Sequence, residues 1–82
     1  MDYSFSRHAV KEFLKFDKKL QVRILSKLEF FLSQDNPLEF AKSIIGATNT
    51  YRFRIGDYRL IFELLDEEIL ILKIDSRGSV YK

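Results

Sequence analysis

Tyr51-Arg52-Phe53-Arg54-Ile55-Gly56-Asp57-Tyr58-Arg59-Leu60-Ile61-Phe62-Glu63 alternates along most of its length with a period of two, and Gly56-Asp57 interrupts it once. Period two is the signature of a half-buried strand, because successive side chains point to opposite faces. A two-residue interruption with glycine first suits a type II′ hairpin turn. That turn fixes the register. Ile55 falls opposite Tyr58, Arg54 opposite Arg59, and Arg52 opposite Ile61. Arg52, Arg54 and Arg59 then share one face, while Tyr51, Phe53, Ile55, Tyr58, Leu60 and Phe62 share the other and form the core side.

Two arginines directly across a hairpin repel, at a cost of up to about 1 kcal/mol. Nothing in a hairpin requires that pairing. It makes sense if phosphates or carboxylates of a partner fill the space between the guanidiniums. The bland alternative is a solvated strand face. Three arginines converge here, and Arg77 arrives at the end of the following strand.

Upstream the period changes. Ser6 is a candidate N-cap, and Val10, Phe13 and Leu14 recur at helical spacing, which predicts a helix over 6–15. Asp17 is a second N-cap candidate. Leu20, Ile24, Leu28 and Phe31 form an apolar stripe that predicts a helix over 17–33. So short a connection predicts a helical hairpin. Tyr3 to Phe5 can form a short strand. Asn36-Pro37-Leu38-Glu39 reads as a helix start of one or two turns, through about Lys42. Ile44-Ile45-Gly46-Ala47 leads out of it, and Thr48-Asn49-Thr50 reads as a loop. Downstream, Asp66-Glu67-Glu68 is a turn. Ile69 to Ile74 is a nearly continuous apolar run, as expected of a central strand covered on both faces. Ile61, Leu65, Leu70, Leu72 and Ile74 are expected to share the arginine side of the sheet as an apolar patch, an interface if a partner segment covers it. The sum is an α+β chain: an N-terminal helical hairpin on a small, mainly antiparallel, twisted sheet of 3–4 strands.

At 82 residues the chain is read as one domain spanning 1–82, able to bury only about 60% of its unfolded surface. A hydrophobic content of 46%, with eight Phe and four Tyr, is enough for a core. There is no cysteine, which removes disulfides, thiolate metal sites and a cysteine nucleophile, and fits a cytoplasmic location. No secretory leader or membrane-spanning run is visible. No phosphate-binding loop or metal-ligand spacing stands out, so neither cofactor nor metal is expected. His8 reads as a helix-surface residue. The net charge of +2 and pI near 9.0 hint only weakly at a polyanionic partner.

The hairpin resembles the "YRxRxGDYRxxYE"-like signature of the RelE/ParE toxin superfamily. The closing segment Ile74-Asp75-Ser76-Arg77-Gly78-Ser79-Val80-Tyr81-Lys82 resembles that family's "xGHRxxVYx" ending, and Lys42 through Gly46 resembles its "K-L-x-G" lead-in. The likeness spans the chain and implies a RelE-like fold. One departure stands out. Asp75-Ser76 occupies the place of the family's frequent Gly-His, so a histidine that could act as acid or base is missing.

The resemblance also implies a function. RelE-like members are ribosome-dependent endonucleases that cut mRNA in the A site and inhibit translation, whereas ParE-like members target DNA gyrase. Both are neutralised by a cognate antitoxin. Tyr81, at the extreme C-terminus, matches the RelE-like subgroup better. On that reading Arg52 and Arg54 hold the RNA backbone, and Arg59 and Arg77 stabilise the pentavalent phosphorane. Tyr81 is the acid–base group, since arginine does not deprotonate in such a setting. The partners implied are the antitoxin, the ribosome and mRNA, with no membrane and no small-molecule cofactor. A gyrase-binding toxin and a degenerate, inactive toxin fold are the alternatives.

Overall fold

The computed structural model describes residues 1–76. Strand β1 (Asp2–Phe5) leads into helix α1 (Arg7–Leu14) and helix α2 (Lys18–Leu32). A 3-10 turn, Pro37–Phe40, enters strand β2 (Ala41–Ser43), and strands β3 (Thr50–Ile55), β4 (Tyr58–Leu65) and β5 (Glu68–Ser76) follow. Among the described residues the five strands form one mixed sheet in the order β1-β5-β4-β3-β2. β1 runs parallel to β5, and the other neighbours are antiparallel. The architecture is α+β as expected, with more strands than the 3–4 read from the sequence.

Both helices begin where their caps predict. The Ser6 side chain accepts from the Ala9 N–H at 3.1 Å, and Asp17 Oδ1 accepts from the Leu20 N–H at 2.8 Å. Gln21 donates to the Phe13 and Phe16 carbonyls at 3.2 and 3.0 Å. It thereby ties the start of α2 to the chain leaving α1 and gives the Phe13 carbonyl, which also accepts from the Phe16 N–H at 3.1 Å, a further donor. The stripe Ile24, Leu28 and Phe31, with Leu32, is buried against Phe53, Ile55, Leu60, Phe62, Ile69, Ile71 and Ile74 of the sheet. Aromatic rings run through this core. Phe31 meets Phe53 at 4.9 Å between centroids, Phe53 stacks on Phe62 at 4.6 Å, and Phe62 meets Tyr51 at 5.8 Å.

Three local expectations change. Asn36 makes no side-chain cap, and the segment after it is one 3-10 turn; Lys42 is already in β2, paired opposite Arg52. Thr50 belongs to β3, and Asn49 takes the tight position before it with φ 54°, a left-handed conformation that asparagine tolerates. Ile74 does not share the arginine side. β4 pairs Ile61 with Lys73 but Phe62 with Ile71, so Leu72 is an extra residue, a β-bulge. The bulge reverses the alternation beyond it. Ile74 turns into the core at 3% exposure, and Lys73 and Asp75 take the opposite face. β5 is therefore not covered on both faces, for Lys73 is exposed and Leu70 half-buried.

α1 and the residue before it occupy the edge of β5 that β1 leaves free. The Ser6 N–H donates to the Ile71 carbonyl at 2.8 Å, and Ser6 Oγ donates to the Leu72 carbonyl at 3.0 Å. The Ile74 N–H donates to Glu12 Oε1 at 2.7 Å. The bulged end of β5 thus keeps its backbone groups satisfied without a further strand.

β1 is also tied to α2. The Tyr3 hydroxyl donates to Glu29 Oε2 at 3.0 Å. Burial pushes the Tyr3 pKa above its ordinary value, and the hydrogen bond and negative charge of Glu29 push it the same way. A raised folded-state pKa means the contribution is complete below about pH 10, the unfolded value, and is lost as pH climbs through the folded value. Thermal melts from neutral to strongly alkaline pH should therefore show wild type losing more stability than Tyr3→Phe above about pH 10. At neutral pH Tyr3→Phe should cost only about 0.5–1 kcal/mol. Parallel pH curves for the two proteins would dismiss the contact as a contributor.

Candidate nucleic-acid interface

The hairpin has the register its turn dictates. Ile55 pairs with Tyr58, Arg54 with Arg59 and Arg52 with Ile61. Gly56 takes φ 60°, and Asp57 is not among the residues at positive φ, as a II′ turn with glycine first requires. On the face away from the helices two lateral rows result. One runs Lys42, Arg52, Ile61, Lys73 across β2, β3, β4 and β5. The next runs Arg54, Arg59, Asp75 across β3, β4 and β5. Arg54 is exposed; Arg52 and Arg59 are half-buried.

The cations of these rows are poorly neutralised. Asp75 is the direct neighbour of Arg59 but pairs with Lys73, Nζ to Oδ2 at 3.4 Å. Among the described residues no carboxylate lies in ion-pair contact with Arg52, Arg54 or Arg59. The Arg59 Nε is buried and has no hydrogen-bond partner among the described residues. A buried donor left unmade costs about 1–3 kcal/mol, and the repulsion from Arg54 adds to it. Arg54 Nε reaches the Gly56 carbonyl at 3.5 Å, a marginal contact. A phosphate oxygen has the charge and geometry to relieve this, because guanidinium groups bind phosphate through paired N–H donors.

Charge falls off along the strands. The next row holds Thr50, Glu63 and Leu70. Beyond it Asp2, Leu65, Asp66, Glu67 and Glu68 line a depression of about 270 Å³ at the far end of the sheet. The face is basic at the β3–β4 turn and acidic at the β4–β5 turn. Such a gradient steers a polyanion toward the arginine end.

The structure brings together Arg52, Arg54 and Arg59 as the sequence predicts. Arg77 and Tyr81 lie outside the described residues. Ile61 sits among the cations, while Leu65, Leu70 and Leu72 are partly exposed. Tyr51 and Tyr58 are half-buried on the core side, with Tyr58 meeting Phe16 at 5.2 Å. His8 stands on α1 and meets Glu12 at 3.4 Å. Sequence reasoning missed Lys42, Lys73 and Asp75 as members of this face. Lys42 lies in a three-residue strand too short to show alternation, and the parity of Lys73 and Asp75 is set by the bulge. No group of His, Cys, Asp or Glu among the described residues could hold a metal ion, and no helix there is long and apolar enough to cross a membrane.

The family model of the ParE toxin of type II toxin–antitoxin systems matches residues 3–81. The chain belongs to this toxin family. An Escherichia coli RelE-like toxin protein is 28% identical over 83 residues, covering 94% of this chain and 85% of that one. The toxin–antitoxin complex RelBE2 of Mycobacterium tuberculosis contains a chain 25% identical, with a TM-score of 0.79 over 93% of this chain and 96% of that one. The chromosomal ParDE system of Pseudomonas aeruginosa gives a TM-score of 0.70 at 16% identity, covering 93% and 95% of the two chains. RelE-named and ParE-named toxins share this fold, so the backbone alone does not separate their targets. The chain is a type II toxin of the RelE/ParE superfamily.

Proposed function

We propose that this toxin acts on RNA, as a ribosome-dependent endonuclease that cuts mRNA in the A site, and that a cognate antitoxin neutralises it. The observation that carries the reading is the unneutralised pair Arg54–Arg59, flanked by Arg52, on an open sheet face. The RelE-like relative and the M. tuberculosis toxin–antitoxin complex support the same branch and the antitoxin partner.

In such a cut the 2′-oxygen attacks the adjacent phosphorus, the bond from phosphorus to the 5′-oxygen breaks, and the proton lost from the 2′-hydroxyl is balanced by one delivered to the leaving oxygen. The protein's task is positioning and charge stabilisation. Arg52 and Arg54 hold the backbone. Arg59 and Arg77 face the charge that develops on the phosphorane. Tyr81 moves the proton. A second reading, a gyrase-binding toxin, is favoured by the ParE family match over residues 3–81.

Expression without antitoxin, followed by mapping of mRNA 5′ ends during translation, separates the two. The expected result is new ends within codons of translated messages. Growth arrest with intact messages, together with inhibition of gyrase supercoiling at stoichiometric protein, would overturn the nuclease reading. Harmless expression would indicate an inactive toxin fold.

A further inference from the structure

Among the described residues Arg23 of α2 has no ion pair or hydrogen bond, although it is an exposed guanidinium beside a turn. It lies over the β3–β4 turn. A β-carbon at Gly56 would stand 2.7 Å from Arg23 Nη2 and 3.5 Å from its Cζ. Gly56 therefore serves twice. It adopts φ 60°, which L side chains rarely do, and its bare Cα leaves room for Arg23. From the other side of the sheet Arg54 Nε points at the carbonyl of the same Gly56, 3.5 Å away. Two guanidiniums, one from the helical layer and one from the open face, thus converge on the tip of one hairpin. Asp57 is exposed at that tip and pairs with neither.

The basic surface continues past Arg23. Lys19 is one helical turn away, and Asp17, Lys19, Leu20 and Arg23 line a depression of about 310 Å³. Asp17 is already engaged, capping α2 through the Leu20 N–H. Convergent guanidiniums without a carboxylate partner repel at their own expense unless an anion sits between them. The two layers would have no reason to send cations to one glycine if the polyanion stopped at the sheet face.

Resting on the RNA reading, we infer that the bound strand turns over the β3–β4 hairpin tip, with one phosphate held between Arg23 and Arg54 above Gly56 and the next directed toward Lys19. The arginine face is then one half of a track whose other half lies on α2. A protein partner's carboxylates at the tip are the competing occupant, and the experiment distinguishes them.

The test is binding of a fluorescein-labelled single-stranded RNA of mixed sequence to the full chain over a series of salt concentrations. Wild type is compared with Arg23→Gln, Arg59→Gln and, as a charge-matched control, Arg7→Gln, a residue exposed in the first turn of α1. Thermal melts check that each variant folds. Arg23→Gln is expected to weaken binding about threefold to tenfold at low salt and to flatten the slope of log affinity against log salt by about 0.7, the loss of one phosphate contact. Arg7→Gln should leave the slope unchanged. If Arg59→Gln loses affinity and Arg23→Gln keeps the wild-type slope, the track ends at the sheet and this inference fails alone. The same holds if Arg23→Gln weakens only the antitoxin complex. If wild type shows no salt-dependent RNA binding, the inference fails, while the ribosome-dependent reading stands or falls separately by the mapping of mRNA 5′ ends.

Discussion

Arg59→Ala is expected to lower mRNA cleavage on translating ribosomes by a factor of about 10²–10³ while leaving the fold as stable as wild type or slightly more so. The two halves of this expectation come from the same observation. Arg59 stands opposite Arg54, and its buried Nε has no partner among the described residues. In the free protein that arrangement is unfavourable, and removing it relieves the repulsion, up to about 1 kcal/mol, and the unmade donor, about 1–3 kcal/mol, against which stands the lost packing of the half-buried Arg59 stem. On the proposed nuclease reading, the same guanidinium would meet the charge that develops on phosphorus, where a preorganised donor contributes most. Arg59→Lys should fall between, since it keeps the charge and loses the planar fork. Initial cleavage rates and urea midpoints on the same preparations decide the matter. An alanine variant that cuts as fast as wild type would remove Arg59 from the site. One that is inactive and also destabilised would make Arg59 a structural residue instead.

Phe62→Ala is expected to cost about 3–5 kcal/mol, which for a domain of this size is most of its stability. Phe62 is fully buried, stacked on Phe53 at 4.6 Å and beside Tyr51 at 5.8 Å. Through Phe53 the contact continues to Phe31 on α2 at 4.9 Å. Truncation therefore opens a void at the junction of helix and sheet. The far-UV signal should lose its cooperative urea transition, or show a midpoint reduced by more than half. Phe62→Leu, which keeps most of the volume, should retain a cooperative transition. A small midpoint shift for the alanine variant would mean that the sheet can collapse onto the gap, and that the ring stack is not central to the core.

The hairpin was legible because its information is local. One glycine fixes one turn, the turn fixes the register, and the register places Arg52, Arg54 and Arg59 on a common face. The helices were legible for a similar reason, since Ser6 and Asp17 cap them where the apolar stripes begin. What stayed hidden is non-local. Nothing in Asp2–Phe5 announces that it lies parallel to β5 rather than antiparallel to another strand. Nothing in Ile69 to Ile74 announces a bulge at Leu72; it coincides with the place where β1 ends and Ser6 and Glu12 take over the edge. The misplacement of Ile74 followed directly, as did the omission of Lys73 and Asp75 from the arginine face. Arg23 over Gly56 joins residues far apart in the chain, and no periodicity could have linked them.

The parallel pairing of β1 with β5 bears on how the chain acquires its structure. Tyr3 aligns with Ile69 and Phe5 with Ile71, so the first strand made has no partner until the last described strand has left the ribosome. At ordinary elongation rates of about 5–20 residues per second that wait is on the order of several seconds. The β3–β4 hairpin, closed by a two-residue turn, can form in microseconds once it emerges. For the last second or two of that wait, at about 5–20 residues per second, the arginine-bearing hairpin exists with Phe53 and Phe62 still lacking the β5 side of their core. Closure of the sheet across so long a loop is the slow, aggregation-exposed event, and a nascent toxin is most vulnerable to chaperones and proteases in the time it takes for Ile69 and Ile71 to reach Tyr3 and Phe5.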